Sequence, residues 1–109
     1  MWYLVVSKSD QPREQVQPYA NEHTAWIKDG HNSGTVIFSG PAGEGNVGIW
    51  VLRANSMDAA KQLADSHPYH KRGLRSYEIY QWTIHQFMGE GAFGRDAISA
   101  LINERANPA

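Results

Sequence analysis

The stretch that decides the fold is TVIFSGPAGEGNVGIWVLRA, residues 35–54. It holds two apolar runs, TVIFS (35–39) and GIWVLRA (48–54), on either side of a glycine-rich turn. β-Branched and aromatic residues dominate both runs, so two consecutive strands are expected here. A helical pattern precedes this pair and another follows it, which places a strand pair between two helices.

Upstream, WYLVVS (2–7) is apolar and β-branched and predicts a buried first strand. Ser9 or Asp10 is a candidate helix cap, with Pro12 near the first turn. Positions spaced by three and four then form one helical stripe: Val16, Tyr19, Ala20, His23, Trp26 and Ile27. Pro18 interrupts the stripe, so a kink or a late helix start is expected. Gly30 and Gly34 are candidate ends of this helix.

Downstream, Asn55-Ser56 predicts the cap of a second helix over 56–67, with Pro68 and Gly73 ending it. Alternating residues over 75–85 then predict a fourth strand. The order is βαββαβ, an α+β fold in which both helices pack on one face of an antiparallel sheet.

The opposite face of this sheet needs a cover. The strands carry apolar residues at both odd and even positions, as expected for a sheet buried on both sides. These residues are Val36, Ile37, Phe38, Ile49, Trp50, Val51 and Leu52. Because two helices cover one face only, a second copy of the sheet is expected on the other. The sequence therefore predicts a homodimer.

Composition restricts the class of protein. The 109 residues are 41% hydrophobic, which fits one domain over 1–86 followed by an extension over 87–109. That extension predicts an amphipathic helix with Ile98, Leu101 and Ile102 in register. Ten basic and eleven acidic residues provide no basic footprint for nucleic acid, and zero cysteines exclude disulfides and thiolate metal sites. With no apolar run of roughly 18 residues and no signal-peptide pattern, the expected location is the cytoplasm, with no membrane partner.

Two stretches match the letters GxGxxG, GEGNVG (43–48) and GEGAFG (89–94). The first leads into a strand and so has no helix N-terminus for a phosphate. The second lacks a following strand and an acidic residue for a ribose. We read them as a hairpin turn and a connection to the tail helix, with no cofactor implied.

The histidines carry the candidate chemistry. His23 lies on the stripe of the first helix, where a core histidine bonded to a carbonyl is the alternative. His67 and His70 flank Pro68 at the end of the second helix, where cationic histidines at a helix C-terminus are the alternative. Since the two helices pack side by side, His23 and His67 can converge and divide general-base and general-acid work. His70 is expected to be an ordinary cation at the helix end, and metal binding by the HxxH pair is disfavoured because Pro68 breaks the helical spacing.

Other residues are expected to complete a pocket. Ser39, Gly40 and Pro41 are expected to end the second strand in a tight turn whose free amides hold an oxyanion. Phe38, Tyr69 and Trp82 are aromatic candidates for its walls. Because no nucleophile is evident, the remaining chemistry is proton transfer.

These residues together resemble the YCII-related family, over roughly residues 1–86. The resemblance rests on His23, on S-G-P at 39–41, on a glycine in the third strand, on HPYHKRGL (67–74) and on YEIYQW (77–82). It implies a ferredoxin-like dimeric α/β barrel, an architecture shared with muconolactone isomerase, and a histidine–aspartate pair as the active site. His23 matches the family histidine, but His67 stands where an aspartate usually precedes the proline. A His–His pair, or Asp65 reaching in from one turn earlier, would replace the dyad.

An activity assigned within the family is dehydrochlorination of a chlorinated hydroxyhydroquinone to a hydroxyquinone, which needs no cofactor. The resemblance therefore implies a cofactor-free lyase or isomerase acting on a small enolic or aromatic substrate. Two further functions stay open: a non-catalytic module that binds or senses a small metabolite, and a cofactor-free oxygenase or haem-associated relative on the same fold.

Overall fold

Residues 1–86 are the part of the chain that the computed structural model describes, and they form four strands and four α-helices. The strands are β1 (Trp2–Ser9), β2 (Val36–Ala42), β3 (Val47–Arg53) and β4 (Arg75–Trp82). The helices are α1 (Arg13–Val16), α2 (Ala20–Ser33), α3 (Met57–Asp65) and α4 (Pro68–Lys71). The predicted tail helix lies outside the described residues.

The four strands form one antiparallel sheet in the order β2-β3-β1-β4. Both connections that cross the sheet carry helices, and β2 and β3 are joined directly as a hairpin. This is the α+β, ferredoxin-like arrangement expected from residues 35–54. Among residues 1–86, no helix is long and apolar enough to cross a membrane.

The first helical segment is divided at Pro18. A 3-10 turn, Gln17–Tyr19, separates α1 from α2, because proline has no N–H to continue the α-helical ladder. The expected cap at Ser9 or Asp10 is wrong: Pro12 precedes α1 and no side chain caps it. Gly34 ends α2 with φ of 80°, a left-handed conformation that glycine adopts without strain.

The second helical segment is also divided, and here the expectation that Pro68 ends a helix is wrong. Ser56 accepts a hydrogen bond from the Ala59 N–H and begins α3, which ends at Asp65. Pro68 is instead the first residue of α4, a position that suits its fixed φ and its missing N–H. His67 is therefore the residue that caps a new helix.

The hairpin between β2 and β3 turns later than expected. β2 continues through Ser39–Pro41 to Ala42, with Gly40 paired to Ile49 and Pro41 to Gly48. The predicted tight turn at Gly40-Pro41 is therefore wrong, and Pro41 has no N–H to offer an oxyanion.

The core lies between the helices and one face of the sheet. Its buried members are Tyr3, Val5, Val36, Trp50, Leu52, Ala60 and Ala64, with Trp26 and Ile27 of α2 packed against them. The opposite face exposes four large apolar side chains, Phe38, Ile49, Tyr80 and Trp82, at 39–51% of their surface. Only the helical face of the sheet is covered within the described residues.

Candidate active site

A cavity of about 380 Å³ opens where α2 and α4 meet the ends of β2, β3 and β4. Eleven residues line it: His23, Ile27, Ser39, Gly40, Pro41, Gly45, Val47, Gly48, Trp50, Tyr69 and Arg75. Two larger pockets on the described surface, one of which adjoins this cavity, are lined by no histidine. This cavity is the candidate site because its wall combines an imidazole, a guanidinium and aromatic rings.

His23 and His67 meet at the inner wall of the cavity. Their nitrogens Nδ1 and Nε2 lie 2.7 Å apart, a hydrogen bond between residues 44 positions apart in the chain. The bond joins α2 to the start of α4, which places the two helical segments side by side. The His23 ring also stacks on Tyr69, with ring centres 5.0 Å apart and planes 11° from parallel.

His67 is fully buried and surrounded by rings. Trp26, Trp50 and Tyr69 all lie with ring centres within 4.5–5.0 Å of its imidazole. Its Nδ1 accepts a hydrogen bond from the Tyr69 N–H at 3.1 Å, which caps α4. A buried polar side chain is stable only when its polar atoms are paired, and both ring nitrogens of His67 are.

These contacts assign the direction of each hydrogen bond. Since Nδ1 of His67 accepts from a backbone N–H, the hydrogen of the neutral ring must be on Nε2. Nε2–H of His67 therefore donates to Nδ1 of His23. Neutral His23 then carries its own hydrogen on Nε2, which bonds to nothing within residues 1–86. The site presents an N–H donor rather than a free lone pair at this ring.

Both rings are held in the neutral state. Burial, together with the nearby His23, His70 and Arg75, lowers the pKa of His67 to about 3. Burial, followed by the charge of Arg75, also lowers the pKa of His23. The hydrogen bond that caps α4 also keeps His67 neutral, because a proton added to its Nδ1 would face the Tyr69 N–H.

His70 is not the ordinary cation that its helix-end position predicted. Its Nδ1–H donates to the Ala64 carbonyl at 2.7 Å, so Nε2 accepts from the Ser7 hydroxyl, also at 2.7 Å. Burial lowers its pKa. Ser7 is fully buried and outside the cavity wall, so this Ser–His pair is a structural contact rather than a nucleophile.

Arg75 supplies the positive charge of the cavity. Its Nε is buried without a hydrogen-bond partner, and no carboxylate pairs with its guanidinium among residues 1–86. Nη1 of Arg75 and Nε1 of Trp50 lie 3.3 and 3.4 Å from the point where a Cβ on Gly48 would stand. A side chain at position 48 would therefore crowd both donors.

Some of the other predicted site residues line the cavity and some do not. Ser39, Gly40, Pro41 and Tyr69 line the cavity, and Ser39 Oγ also pairs with Nε2 of His31 at 2.7 Å. Phe38 and Trp82 do not line it, because odd and even positions of a strand point to opposite faces and both lie on the open face. Asp65 does not reach His23 either: its carboxylate accepts from the Tyr77 hydroxyl at 2.6 Å.

Sequence reasoning missed Arg75, Trp50 and Gly48. One signal was present: Arg75 has the same strand parity as Tyr77 and Ile79, which face the helices. A charged residue at an inward-facing strand position is unusual and indicates a functional or paired group. Gly48 is the glycine of the third strand on which the family resemblance rests, but nothing in the sequence indicated that it lines the cavity.

Comparison with known families identifies the domain. Residues 1–83 match the model of the YCII-related domain. The chain belongs to the YCII-related domain family. Comparison with curated proteins gave no match.

A solved structure with the same fold is the 5-chloro-2-hydroxyhydroquinone dehydrochlorinase TftG of Burkholderia phenoliruptrix AC1100, in complex with 2,5-dihydroxybenzoquinone. The TM-score is 0.62 at 20% sequence identity, covering 76% of this chain and 94% of that one. At this identity the similarity of this YCII-related domain to TftG establishes the fold, and the activity has to be argued from the cavity.

Proposed function

We propose that this YCII-related domain is a cofactor-free lyase or isomerase that moves protons on a small enolic or aromatic substrate at the His23–His67 pair. The observation that carries the proposal is the 2.7 Å contact between two neutral imidazoles at the wall of a cavity. A buried, linked pair of histidines with shifted pKa values is typical of sites that transfer protons. The aromatic lining, Trp50 and Tyr69, suits a planar ring.

The most specific version is the reaction in the name of TftG. A chlorinated hydroxyhydroquinone becomes a hydroxyquinone by losing one proton and one chloride. Ketonisation places a proton on the carbon that bears chlorine, and loss of chloride with a hydroxyl proton then leaves the quinone. The electron pair leaves with chloride, so no oxidant, reductant or cofactor is required.

The role of His23 follows from its tautomer. Its Nε2–H can polarise the oxygen whose electrons rearrange, as a neutral imidazole does in other proton-transfer enzymes. His67 holds that tautomer by donating to Nδ1. General-base work at Nε2 would require the reverse tautomer, which the cap on α4 opposes.

The test is chloride release from 5-chloro-2-hydroxyhydroquinone, together with deuterium exchange into a panel of ring enols followed by NMR. We expect His23→Ala to lower turnover by about 100-fold or more, the usual contribution of a positioned hydrogen-bond donor to a developing oxyanion. We expect His67→Asn, whose amide oxygen can still cap α4, to lower turnover as well.

The matched control is His85→Ala, which removes an exposed histidine outside the cavity and leaves turnover unchanged. Near wild-type turnover in both His23→Ala and His67→Asn would rule the proposal out. Absence of chloride release with retained deuterium exchange would instead limit the activity to isomerisation.

A non-catalytic module that binds a small metabolite is the second candidate. One observation favours it: in the resting tautomer the cavity offers N–H donors but no imidazole lone pair. This candidate predicts saturable binding without turnover, and histidine variants that change affinity only.

A further inference from the structure

The donors of the cavity lack acceptors. Nε2–H of His23, Nε1–H of Trp50 and the guanidinium of Arg75 have no hydrogen-bond partner within residues 1–86, and all three residues line the cavity. Donors that water can reach cost little, but a half-buried guanidinium with an unpaired Nε is expensive unless an anion accompanies it.

The position of the missing acceptor follows from Gly48. Nη1 of Arg75 and Nε1 of Trp50 both approach its α-carbon closely, at 3.3 and 3.4 Å from the point that a Cβ would occupy. Gly48 pairs with Ser7 of β1 and with Pro41 of β2, so the backbone of the sheet lies directly beneath this position. Because position 48 has no side chain, both N–H donors lie close to the backbone, and an acceptor for them would lie further out in the cavity, above Gly48.

The surrounding charge is positive. After burial, the charge of Arg75 also lowers the pKa of His23, His67 and His70, and it opposes the rise that burial causes in the pKa of Tyr69. The only ion pair among the described residues joins Arg72 to Glu22, so no carboxylate there compensates Arg75. Glu44 lines the adjoining pocket with Arg13 and Arg75 but makes no ion pair with either.

We propose that the cavity is an oxyanion site, which takes its ligand as a phenolate or ring enolate with the charged oxygen above Gly48, between Arg75 and Trp50. Nε2–H of His23 is the third donor, from the α2 side. The inference rests on the proposed function only in choosing a ring enolate or phenolate over a carboxylate. The aromatic rings of Trp50, Tyr69 and His23 suit a planar anion of this kind.

The experiment measures binding directly and needs no turnover, so it can succeed where the proposed reaction fails. The probe is 4-nitrocatechol, whose ionisation is visible in its absorption spectrum. We expect it to bind as the anion and to ionise at lower pH when bound than when free. We expect 4-nitroanisole, which cannot ionise, to bind at least tenfold more weakly, since hydrogen bonds to charged groups are worth roughly this much.

Three variants locate the anion. Arg75→Gln is expected to weaken 4-nitrocatechol binding by about tenfold or more, and Arg75→Lys by less because the charge remains. Gly48→Ala is expected to weaken it too, since the new methyl group would crowd both donors and displace them. Lys28→Gln removes the same charge from an exposed position of α2 and is expected to leave binding unchanged. Thermal unfolding of each variant checks that it is folded.

Unchanged affinity in both Arg75→Gln and Gly48→Ala would overturn the proposal. So would equal binding of 4-nitroanisole, or no binding of 4-nitrocatechol by the wild-type protein. Benzoate tests whether the site prefers a phenolate or enolate to a carboxylate. Binding of benzoate as tight as that of 4-nitrocatechol would overturn the assignment to a phenolate or enolate, and weaker binding supports it.

Discussion

At the scale of single residues, His67 changes what His23 can do. An aspartate at position 67, as the resemblance to the family implies, would accept a hydrogen from Nδ1 of His23 and leave a lone pair on Nε2. His67 donates instead, because the Tyr69 N–H already occupies its own Nδ1. Histidine instead of aspartate at position 67 thus makes Nε2 of His23, which faces the cavity, a hydrogen-bond donor rather than an acceptor.

This reversal can be observed without a substrate. In ring-¹⁵N NMR spectra at pH 7, we expect His23 and His67 to carry hydrogen on Nε2, and His70 to carry it on Nδ1. The exposed ring of His85 serves as an internal reference. A hydrogen on Nδ1 of His23 would contradict the hydrogen-bond directions and restore the general-base role.

At the scale of elements, the close approach of α2 to β2 depends on Gly30. A Cβ there would overlap Cγ2 of Val36, which is buried in the core. Because α2 carries His23, this contact also sets the height of the imidazole above the sheet.

Gly30→Ala tests that contact. Alanine favours a helix over glycine by about 1 kcal/mol, but the overlap with Val36 is expected to outweigh this gain. We expect a net loss of about 1–2 kcal/mol in the free energy of unfolding, measured by urea denaturation. Asp29→Ala, at an exposed neighbouring position, should change it by less than about 0.5 kcal/mol. Increased stability in Gly30→Ala would mean that the helix shifts freely.

At the scale of the whole molecule, three neutral histidines make the fold sensitive to acid. The pKa values of His23, His67 and His70 are all lowered in the folded state, so below about pH 6.5 the unfolded chain binds more protons than the folded one. Stability is therefore complete above that pH and is lost as the pH falls towards the folded pKa values.

We expect the free energy of unfolding to decrease between pH 6.5 and 5, with each fully neutral histidine contributing up to about 1.4 kcal/mol per pH unit. Urea denaturation at several pH values in this range measures the slope. His67→Asn should flatten it, whereas His85→Asn should not. A stability independent of pH over this range would show that folding does not lower the pKa values of the three rings.

The open face of the sheet belongs to the same scale. Phe38, Ile49, Tyr80 and Trp82 are exposed together on it, and we propose, as the apolar pattern of the strands first indicated, that a second copy covers them. Sedimentation should give a dimer for the wild-type chain. Ile49→Glu should shift it towards monomer by burying a charge in the interface, and Lys28→Glu on α2 should not. A wild-type monomer at all concentrations would remove this proposal.

The order of the strands along the chain, the division of the first helical segment at Pro18 and the convergence of His23 and His67 could be predicted from the sequence, because periodicity, proline and residue chemistry act over short distances. The register that brings Arg75 and Trp50 over Gly48 could not, since it arises from pairing between strands far apart in the chain. The same is true of the hydrogen-bond directions at His67. The residue type determines which hydrogen bonds a side chain can make, but only the packed structure decides which ring nitrogen meets an N–H and which meets a lone pair.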